Sequence, residues 1–496
     1  MWESNILLLV IVLPLLGGIF ILFLEDEALI AKVALLFTMV TFFLSTFIWI
    51  LFDRSTANFQ FLCECSWIPS SNMNLLLGVD GISLFFLILT TLLTPLCILA
   101  SLKSVKVYLK EYILAFLLME SLLLFVFSLL DLILFYVFFE AILIPMYLLV
   151  GIWGSRERKI RAAYLLFFYT LIGSVLMLLA ILTLYALTGT TDYQLLLRSP
   201  VDESLEKIFW LAFFASFAVK VPMLPFHIWL PEAHVEAPTG GSVILAGLLL
   251  KLGSYGLLRF SLPLFPMATL YFTPLVYTMS ALAIIYTSLT ALRQMDMKRI
   301  IAYASVAHMN VILIGLFSFN AQGLEGALLQ QLAHGLVSSA LFFCVGVLYD
   351  RHHSRLLIYF GGLVHEMPLF IGFFMFFTMA NIAFPLTANF VGEFLILVGA
   401  FQVNTSAAFL GATGMVLGGG YSLWLYNRIA FGNLKVQYIK SFSDVTRPEA
   451  FIQTVLLVAT LIMGIYPEIF LDPMHVSVAN LLEDLHLRAY GLTSSL

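Results

Sequence analysis

Long runs of apolar residues dominate the chain, and short polar, glycine-containing or proline-containing segments separate them. Each run has about twenty residues, enough for one helix to cross the apolar core of a bilayer. The runs are apolar on every side, which indicates helices surrounded by lipid or by other helices. The pattern therefore predicts an all-α polytopic membrane protein.

Counting these runs gives about fourteen transmembrane helices. The region 112–152 contains two of them, because roughly forty residues would extend about 60 Å as a single helix, and Asp131 marks the break. The first run has neither a basic leader nor a small-residue cleavage site, so it predicts a membrane helix. The predicted spans are 5–24, 30–52, 79–101, 112–129, 132–152, 163–187, 207–229, 241–260, 272–291, 299–318, 324–349, 367–400, 405–428 and 451–471.

Composition and charge support this class of protein. The chain is 62% hydrophobic and 11% charged, with a mean hydropathy of +1.03, outside the range of soluble domains. Its net charge of -5 is small, and the sequence contains no basic stripe. These features exclude a nucleic-acid-binding surface.

Basic residues are distributed unevenly among the loops. Numbered from the N-terminus, the odd loops contain about 17 lysines and arginines, against 5 in the even loops and the C-terminal tail. By the positive-inside rule, the odd loops face the matrix or cytoplasm and both termini face the opposite side. The two remaining basic residues, Lys220 and Lys251, lie inside predicted helices.

Two predicted helices contain proline in mid-span: Pro222 and Pro225 in the seventh, Pro385 in the twelfth. Proline removes a backbone hydrogen bond, so both helices should be broken. Paired broken helices are typical of transport sites, although prolines are common in membrane helices and the two breaks need not be related. We predict two inverted five-helix repeats, helices 4–8 and 9–13. The corresponding domains are 1–110, 111–261, 262–431 and 432–496.

Four ionisable residues lie deep inside predicted helices: Glu140, Lys220, Lys251 and Glu393. A charge at the bilayer centre costs about 3 kcal/mol or more, so such residues indicate function. A Glu140–Lys220 ion pair would offset part of the desolvation cost and let Lys220 exchange a proton as the pair opens and closes. The alternative is a static pair that joins two helices.

His308 and His334 also fall inside predicted helices. Histidine titrates near neutral pH, so these residues could relay protons between Lys251 and Glu393. The alternative is a neutral histidine that hydrogen-bonds a neighbouring helix.

The sequence motifs of cofactor sites are missing. Cys63, Cys65, Cys97 and Cys344 form no CxxC pair and no spacing for zinc or an iron–sulfur cluster. No strand–GxGxxG–helix unit is present. We therefore expect no cofactor and no metal on this chain.

Four segments carry a resemblance to a known family. They are VKVPMLPFHIWLPEAHVEAPTGGSVILAGLLLKLGSYGLLR (219–259), FYVFFEAILIPMYLLVGIWG, RQMDMKRIIAYASVAHMN and NFVGEFLIL. They resemble the antiporter-like subunits of respiratory complex I, the NADH:ubiquinone oxidoreductase. The match runs from about residue 75 to 430.

The resemblance implies fourteen helices in two inverted repeats, with helices 7 and 12 broken. It also implies roles: Glu140 and Lys220 as the central pair, Lys251 as the connecting lysine and Glu393 as the terminal acid. His308 and His334 match histidines of one branch of the family. Flavin, iron–sulfur clusters and the quinone site are expected on partner subunits.

The implied function is proton translocation by a membrane-arm subunit, as part of the NADH:ubiquinone reductase and without redox chemistry on this chain. The expected partners are other membrane-arm subunits, including neighbouring antiporter-like subunits, and the lipid bilayer. Two alternatives stay open: a subunit of a free-standing sodium/proton antiporter, and an inert structural spacer. We expect the mitochondrial inner membrane, with both termini facing the intermembrane space; the alternative is a bacterial plasma membrane.

Overall fold

The computed structural model describes residues 2–68, 73–199, 201–435 and 443–489. Short helical turns also occur at Tyr193–Leu196 and Leu357–Tyr359. The helices are α1 (Trp2–Leu22), α2 (Glu27–Leu51), α3 (Leu84–Ser104), α4 (Leu109–Ser128), α5 (Leu132–Trp153), α6 (Lys159–Thr188), α7 (Glu203–Lys220), α8 (Trp229–Glu236), α9 (Thr239–Leu264), α10 (Pro266–Leu292), α11 (Met297–Leu316), α12 (Ala321–His352), α13 (Pro368–Asn381), α14 (Ala388–Val403), α15 (Thr405–Ala430), α16 (Arg447–Ile465) and α17 (Glu468–Ala489).

Twelve helices within the described ranges are long and apolar enough to cross a membrane, judged by length and composition. They are α1 to α6, α9 to α12, α15 and α16. The chain is therefore a helical, multi-pass membrane protein, as the apolar pattern predicted. A count of fourteen additionally requires α7–α8 and α13–α14 to form one broken crossing each. That count, the two repeats and the domain boundaries stay predictions.

Both proline-containing helices are broken where the sequence indicated. α7 ends at Lys220 and α8 begins at Trp229, with the prolines of the seventh predicted span between them. α13 ends at Asn381 and α14 begins at Ala388, on either side of Pro385. The prediction of two interrupted helices is confirmed.

Short polar side chains mark where several helices begin. Asp131 precedes α5 and accepts a hydrogen bond from the backbone N–H of Leu134 at 3.0 Å. Asp296 and Asn320 cap α11 and α12 in the same way. Such caps satisfy backbone N–H groups that have no partner inside the helix. The predicted break at Asp131 is confirmed.

A β-hairpin in the loop between α2 and α3 was not predicted. Strand β1 (Gln60–Ile68) pairs antiparallel with β2 (Met73–Val79). The backbone N–H of Leu130 donates to the carbonyl of Leu76, which attaches the hairpin to the start of α5. The two strands are short, and the apolar residues of β2 lead directly into the apolar run of the next predicted helix. The sequence therefore did not distinguish these strands from a loop.

The centre of the molecule lies where α9, α11 and α12 pack together, and these helices are almost completely buried. α9 and α12 approach closely at two glycines: a Cβ at Gly247 would lie 2.9 Å from Ser339 Oγ, and one at Gly335 would lie 3.2 Å from the Gly247 carbonyl oxygen. Small residues allow helices to approach in this way. The close contact brings Lys251 and His334 face to face.

Candidate functional site

Lys251, in the middle of α9, contacts a histidine on the neighbouring helix. Its Nζ lies 2.8 Å from Nδ1 of His334 and also donates to the carbonyl of Ala246. Both side chains are buried. Ala246 belongs to a π-helical turn, Leu245–Leu249, and such turns are frequent at functional sites. A buried amine beside an imidazole can exchange a proton with it directly.

Glu393, near the start of α14, is held by side chains from α11 and α12. Its Oε1 lies 2.8 Å from Nδ1 of His308, and Gln330 Nε2 donates to the same oxygen at 3.0 Å. α14 packs tightly here, since a Cβ at Gly392 would lie 2.6 Å from Gln330 Oε1. The carboxylate is therefore fixed against an imidazole in a buried part of the fold.

The two histidine rings connect these pairs. The centroids of His308 and His334 are 5.7 Å apart, with a 45° tilt between the rings. Nε2 of each ring has no hydrogen-bond partner. Imidazole can accept a proton at one nitrogen and release one from the other. Lys251, His334, His308 and Glu393 therefore form one line, which we call the central cluster, with a single gap between the rings.

A small cavity lies beside the Glu393 end of the central cluster. It has a volume of about 10 Å³ and is lined by His308, Glu393, Asn381 and Tyr421, among others. Asn381 is the last residue of α13, so the cavity lies at the break between α13 and α14. A polar cavity of this size is close to the minimum for one water molecule. It provides a place where a proton on Glu393 could leave.

Glu140 and Lys220 lie apart from the central cluster and do not contact each other directly. No carboxylate oxygen of Glu140 is within 4.0 Å of Lys220 Nζ. Instead, Nζ is 3.4 Å from the Phe139 carbonyl and 3.9 Å from the centroid of the Phe139 ring. The Glu140 carboxylate is next to the hydroxyl of Ser174. The two charges interact across a gap rather than as the contact pair that the sequence suggested, because the ring and carbonyl of Phe139 already hold the ammonium.

Two buried basic side chains near the first residues of α9, on the side of the odd-numbered loops, were not identified from the sequence. His234, on α8, is completely buried and stacks on Phe342 with 4.7 Å between ring centroids. Lys298 was counted as a loop lysine, yet it is buried in the first turn of α11. Its place two residues after the capping Asp296 was the signal that it belongs to a helix.

Arg355, in the loop that follows α12, contacts the end of α8 and the residue that precedes α11. Arg355 is almost fully buried, with Nε 3.6 Å from Asp296 Oδ2 and Nη2 3.9 Å from Glu236 Oε1, and Nη1 donates to the Val235 carbonyl. Burial lowers the pKa of Arg355, and the two carboxylates oppose that shift. The arginine thus joins the end of α8 to the start of α11.

Comparison with known proteins places the chain in a family. The family described as "NADH:quinone oxidoreductase/Mrp antiporter, TM" matches residues 130–418, which include the whole central cluster. NADH-ubiquinone oxidoreductase chain 4 of Marchantia polymorpha is 59% identical over 475 residues, 95% of this chain and 96% of the relative. The Arabidopsis thaliana protein of the same name gives the same values.

The chain belongs to the NADH:quinone oxidoreductase/Mrp antiporter family. Within it, the curated relatives carry the name chain 4, which confirms the resemblance to antiporter-like subunits of complex I. A chain of respiratory complex I from Thermus thermophilus with bound NADH is 29% identical, with a TM-score of 0.86 over 96% of this chain and 99% of that chain. A chain of the Mrp complex from Dietzia sp. DQ12-45-1b has a TM-score of 0.87 over 99% of both chains at 21% identity, and shows the shared fold.

Proposed function

We propose that the chain is a proton-translocating membrane-arm subunit of NADH:ubiquinone oxidoreductase. The chain 4 relatives and the antiporter-like family support this assignment. The observation that carries it is the central cluster: four titratable side chains in two hydrogen-bonded pairs, joined by two facing rings, inside the membrane-spanning core. Ionisable groups at such depth are costly and mark proton or ion pathways.

Proton transfer along the central cluster leaves Lys251 neutral, Glu393 protonated and each histidine in its other neutral tautomer. Reprotonation of Lys251, loss of the Glu393 proton and a tautomer change in each ring restore the starting state. The Lys251 ammonium gives a proton to Nδ1 of His334, and the ring releases its other proton from Nε2. His308 accepts that proton at Nε2 and releases one from Nδ1 to the Glu393 carboxylate. Because the ring centroids are 5.7 Å apart and neither Nε2 has a hydrogen-bond partner, a ring rotation or one water molecule has to complete the middle step.

The energies involved are compatible with a driven pump. Moving one proton against 100 mV costs about 2.3 kcal/mol. Two unit charges 4 Å apart interact by about 4 kcal/mol at an effective dielectric constant of 20. A displacement of one buried charge next to Lys251 or Glu393 is therefore sufficient to change which group holds the proton.

Glu140 and Lys220 supply a displaceable buried charge on helices that pack near α9, at a greater distance and therefore with a smaller effect than a charge in contact with the cluster. Lys220 Nζ rests on the Phe139 ring and carbonyl, with the Glu140 carboxylate beside Ser174 instead of in contact. Movement of the ammonium from Phe139 onto Glu140 would change the electric field at the neighbouring helix α9. In this role the two residues respond to redox chemistry elsewhere in the complex. The alternative, a static arrangement that joins α5 and α7, predicts no effect on pumping.

The remaining assignments follow from the same function. Flavin, iron–sulfur clusters and quinone are held by other subunits, and this chain contributes no redox chemistry to the enzyme. Its partners are other membrane-arm subunits, including further antiporter-like ones, and the surrounding lipid. We place it in the mitochondrial inner membrane with both termini in the intermembrane space, in line with its plant relatives and its basic odd loops.

The test is proton translocation per NADH oxidised in membranes that carry Lys251→Met, with complex assembly measured on a native gel. Lys207→Met is the matched control, because Lys207 Nζ lies over the Tyr271 ring and away from the central cluster. We expect fewer protons per NADH for Lys251→Met and the normal ratio for Lys207→Met, in sodium-free medium as well. A normal ratio for both variants would leave the structural spacer as the remaining explanation. Proton translocation that requires sodium would favour the sodium/proton antiporter.

A further inference from the structure

Gln330 is a buried side chain that contacts the central cluster and cannot titrate. It belongs to α12 and is completely buried. Its Nε2 donates to Glu393 Oε1 at 3.0 Å. Residues four apart lie on the same face of a helix, so Gln330 shares the face of α12 that carries His334. One face of α12 therefore contacts both ends of the central cluster, Lys251 through His334 and Glu393 through Gln330.

Two side chains meet at the same oxygen of Glu393. Besides Gln330 Nε2, Nδ1 of His308 lies 2.8 Å from Oε1. An ionised carboxylate only accepts hydrogen bonds, and two donors use both lone pairs of one oxygen. Hydrogen bonds to a charged group are also the stronger kind. The observed arrangement is thus the one that suits Glu393 without its proton.

The carbonyl end of the Gln330 amide has no hydrogen-bond partner. Its Oε1 is buried and unpaired, whereas buried polar atoms normally have partners. This oxygen lies over Gly392, where a Cβ would be only 2.6 Å away. The last torsion of a glutamine side chain is broad and roughly two-fold. A half-turn about it exchanges Nε2 and Oε1 while the rest of the side chain stays in place.

The two ends of the amide match the two protonation states of Glu393. A carboxylate needs a donor, which Nε2 supplies in the observed arrangement. A carboxylic acid carries an O–H donor and needs an acceptor. After a half-turn, Gln330 Oε1 lies where Nε2 lay and can accept from that O–H. An amide serves both states without gaining or losing a proton of its own.

We propose that Gln330 is the positioning residue of Glu393 and that its amide turns as Glu393 gains and loses its proton. The proposal rests on the proposed proton-translocating function. His308 releases the proton from Nδ1, an O–H bond forms at Glu393, and the amide turns so that Gln330 Oε1 accepts from that O–H. The O–H then points to Gln330 instead of His308, which opposes return of the proton. When the proton leaves Glu393, the amide turns back and Nε2 donates again.

The first test is the infrared difference spectrum of the complex, recorded as NADH reduces it, for the natural chain and for Gln330→Met. Methionine has a similar length but no N–H donor and only a weak acceptor. A turning amide changes its hydrogen bond, so the natural chain should show a side-chain amide C=O band that Gln330→Met lacks. The carboxyl C=O band of Glu393 should move to higher frequency in the variant, because its O–H has lost an acceptor. If neither band differs, the amide is static and the proposal is overturned.

The second readout is the number of protons per NADH, with assembly measured on a native gel. A hydrogen bond to a charged group corresponds to about tenfold in an equilibrium constant. Gln330→Met should therefore change the proton-transfer equilibrium between His308 and Glu393 by about tenfold, and we expect fewer protons per NADH. Gln330→Asn decides the case in which Gln330→Met does not assemble. It keeps an amide but is shorter by one CH₂ group, so both readouts should change in the same direction; a natural spectrum with normal pumping would contradict the proposal.

Gln453→Met is the matched control. Gln453 is also buried, its Nε2 donates to the Ala340 carbonyl at 3.5 Å, and its Oε1 has no partner. The two glutamines differ in that Gln330 donates to a titratable carboxyl group and Gln453 to a backbone carbonyl. Gln453→Met should keep both infrared bands and pump normally. Loss of the same bands in this control would contradict a specific role for Gln330.

The outcomes separate the positioning role from the function as a whole. If Glu393→Gln lowers pumping while Gln330→Met and Gln330→Asn pump normally with the natural spectrum, the positioning role is wrong and the function stands. If Glu393→Gln itself pumps normally, the proposed function fails and the positioning role fails with it.

Discussion

A buried ion pair joins two distant parts of the chain, and its removal has a calculable cost. Asp80 follows β2 directly, and Arg259 lies in the second π-helical turn of α9, Leu257–Ser261. Arg259 Nη1 donates to Asp80 Oδ2 at 2.8 Å, and Nη2 donates to Oδ1. The two side chains are only 4% and 5% exposed. The guanidinium also lies 5.2 Å from the centroid of the Phe59 ring.

Arg259→Met would leave a buried carboxylate without its partner, and Asp80→Asn would leave a buried guanidinium. Breaking such a pair typically costs about 3–5 kcal/mol, because one charge stays desolvated and unpaired. Asp80→Asn keeps the oxygen that accepts from the Ser83 N–H at 3.0 Å, so the start of α3 is retained. The double variant contains neither charge, and we expect it to lose less stability than either single variant.

The assay is the temperature at which half of the assembled complex is lost on a native gel, compared for the two single variants and the double variant. Asp472→Asn is the control, because its pair with Arg54 is exposed, with 56% and 61% of the two side chains accessible, and contributes about 1 kcal/mol or less. A temperature shift in the double variant equal to the sum of the two single-variant shifts would refute a coupled buried pair.

Three other predictions follow from the packing and the charges. Gly256→Ala should reduce the amount of assembled complex on a native gel, because the added Cβ would overlap the Phe217 ring. In the control Gly372→Ala, the added Cβ meets nothing within 4 Å, and the complex should assemble normally. Equal assembly of the two variants would contradict the close contact of α7 and α9. Lys220→Met should assemble normally but lower protons per NADH, and unchanged pumping would reduce Glu140 and Lys220 to a static pair. His308→Gln should lower pumping as far as Lys251→Met does, because glutamine hydrogen-bonds Glu393 without exchanging a proton; full pumping would exclude a relay through that ring.

The sequence was sufficient for those parts of the fold that depend on local chemistry. Uniform apolar runs specify membrane helices, Asp131 has the chemistry of a helix cap, and Pro222, Pro225 and Pro385 cannot continue a helix. Each of these features acts within a few residues of where it appears. The predictions based on them agree with the structure for the same reason.

The contacts within the site could be predicted only in part. Titratable residues in apolar runs identified Lys251, His308, His334 and Glu393, but their pairing depends on how α9, α11, α12 and α14 pack. That packing is set by close approaches at glycines that are far apart in sequence. The contact of Lys220 with the Phe139 ring and the burial of Lys298 depend on side-chain orientation, which spacing along the chain does not encode.

The central claim is that protons pass through the central cluster during turnover. The most direct measurement is infrared difference spectroscopy of the complex, recorded as NADH reduces it, for the natural chain and for Glu393→Gln. We predict a change in the carboxyl C=O band of the natural chain that is lost in Glu393→Gln, together with fewer protons per NADH at normal assembly. Identical difference spectra and identical pumping in the two proteins would show that Glu393 does not exchange a proton during turnover, and would contradict the account.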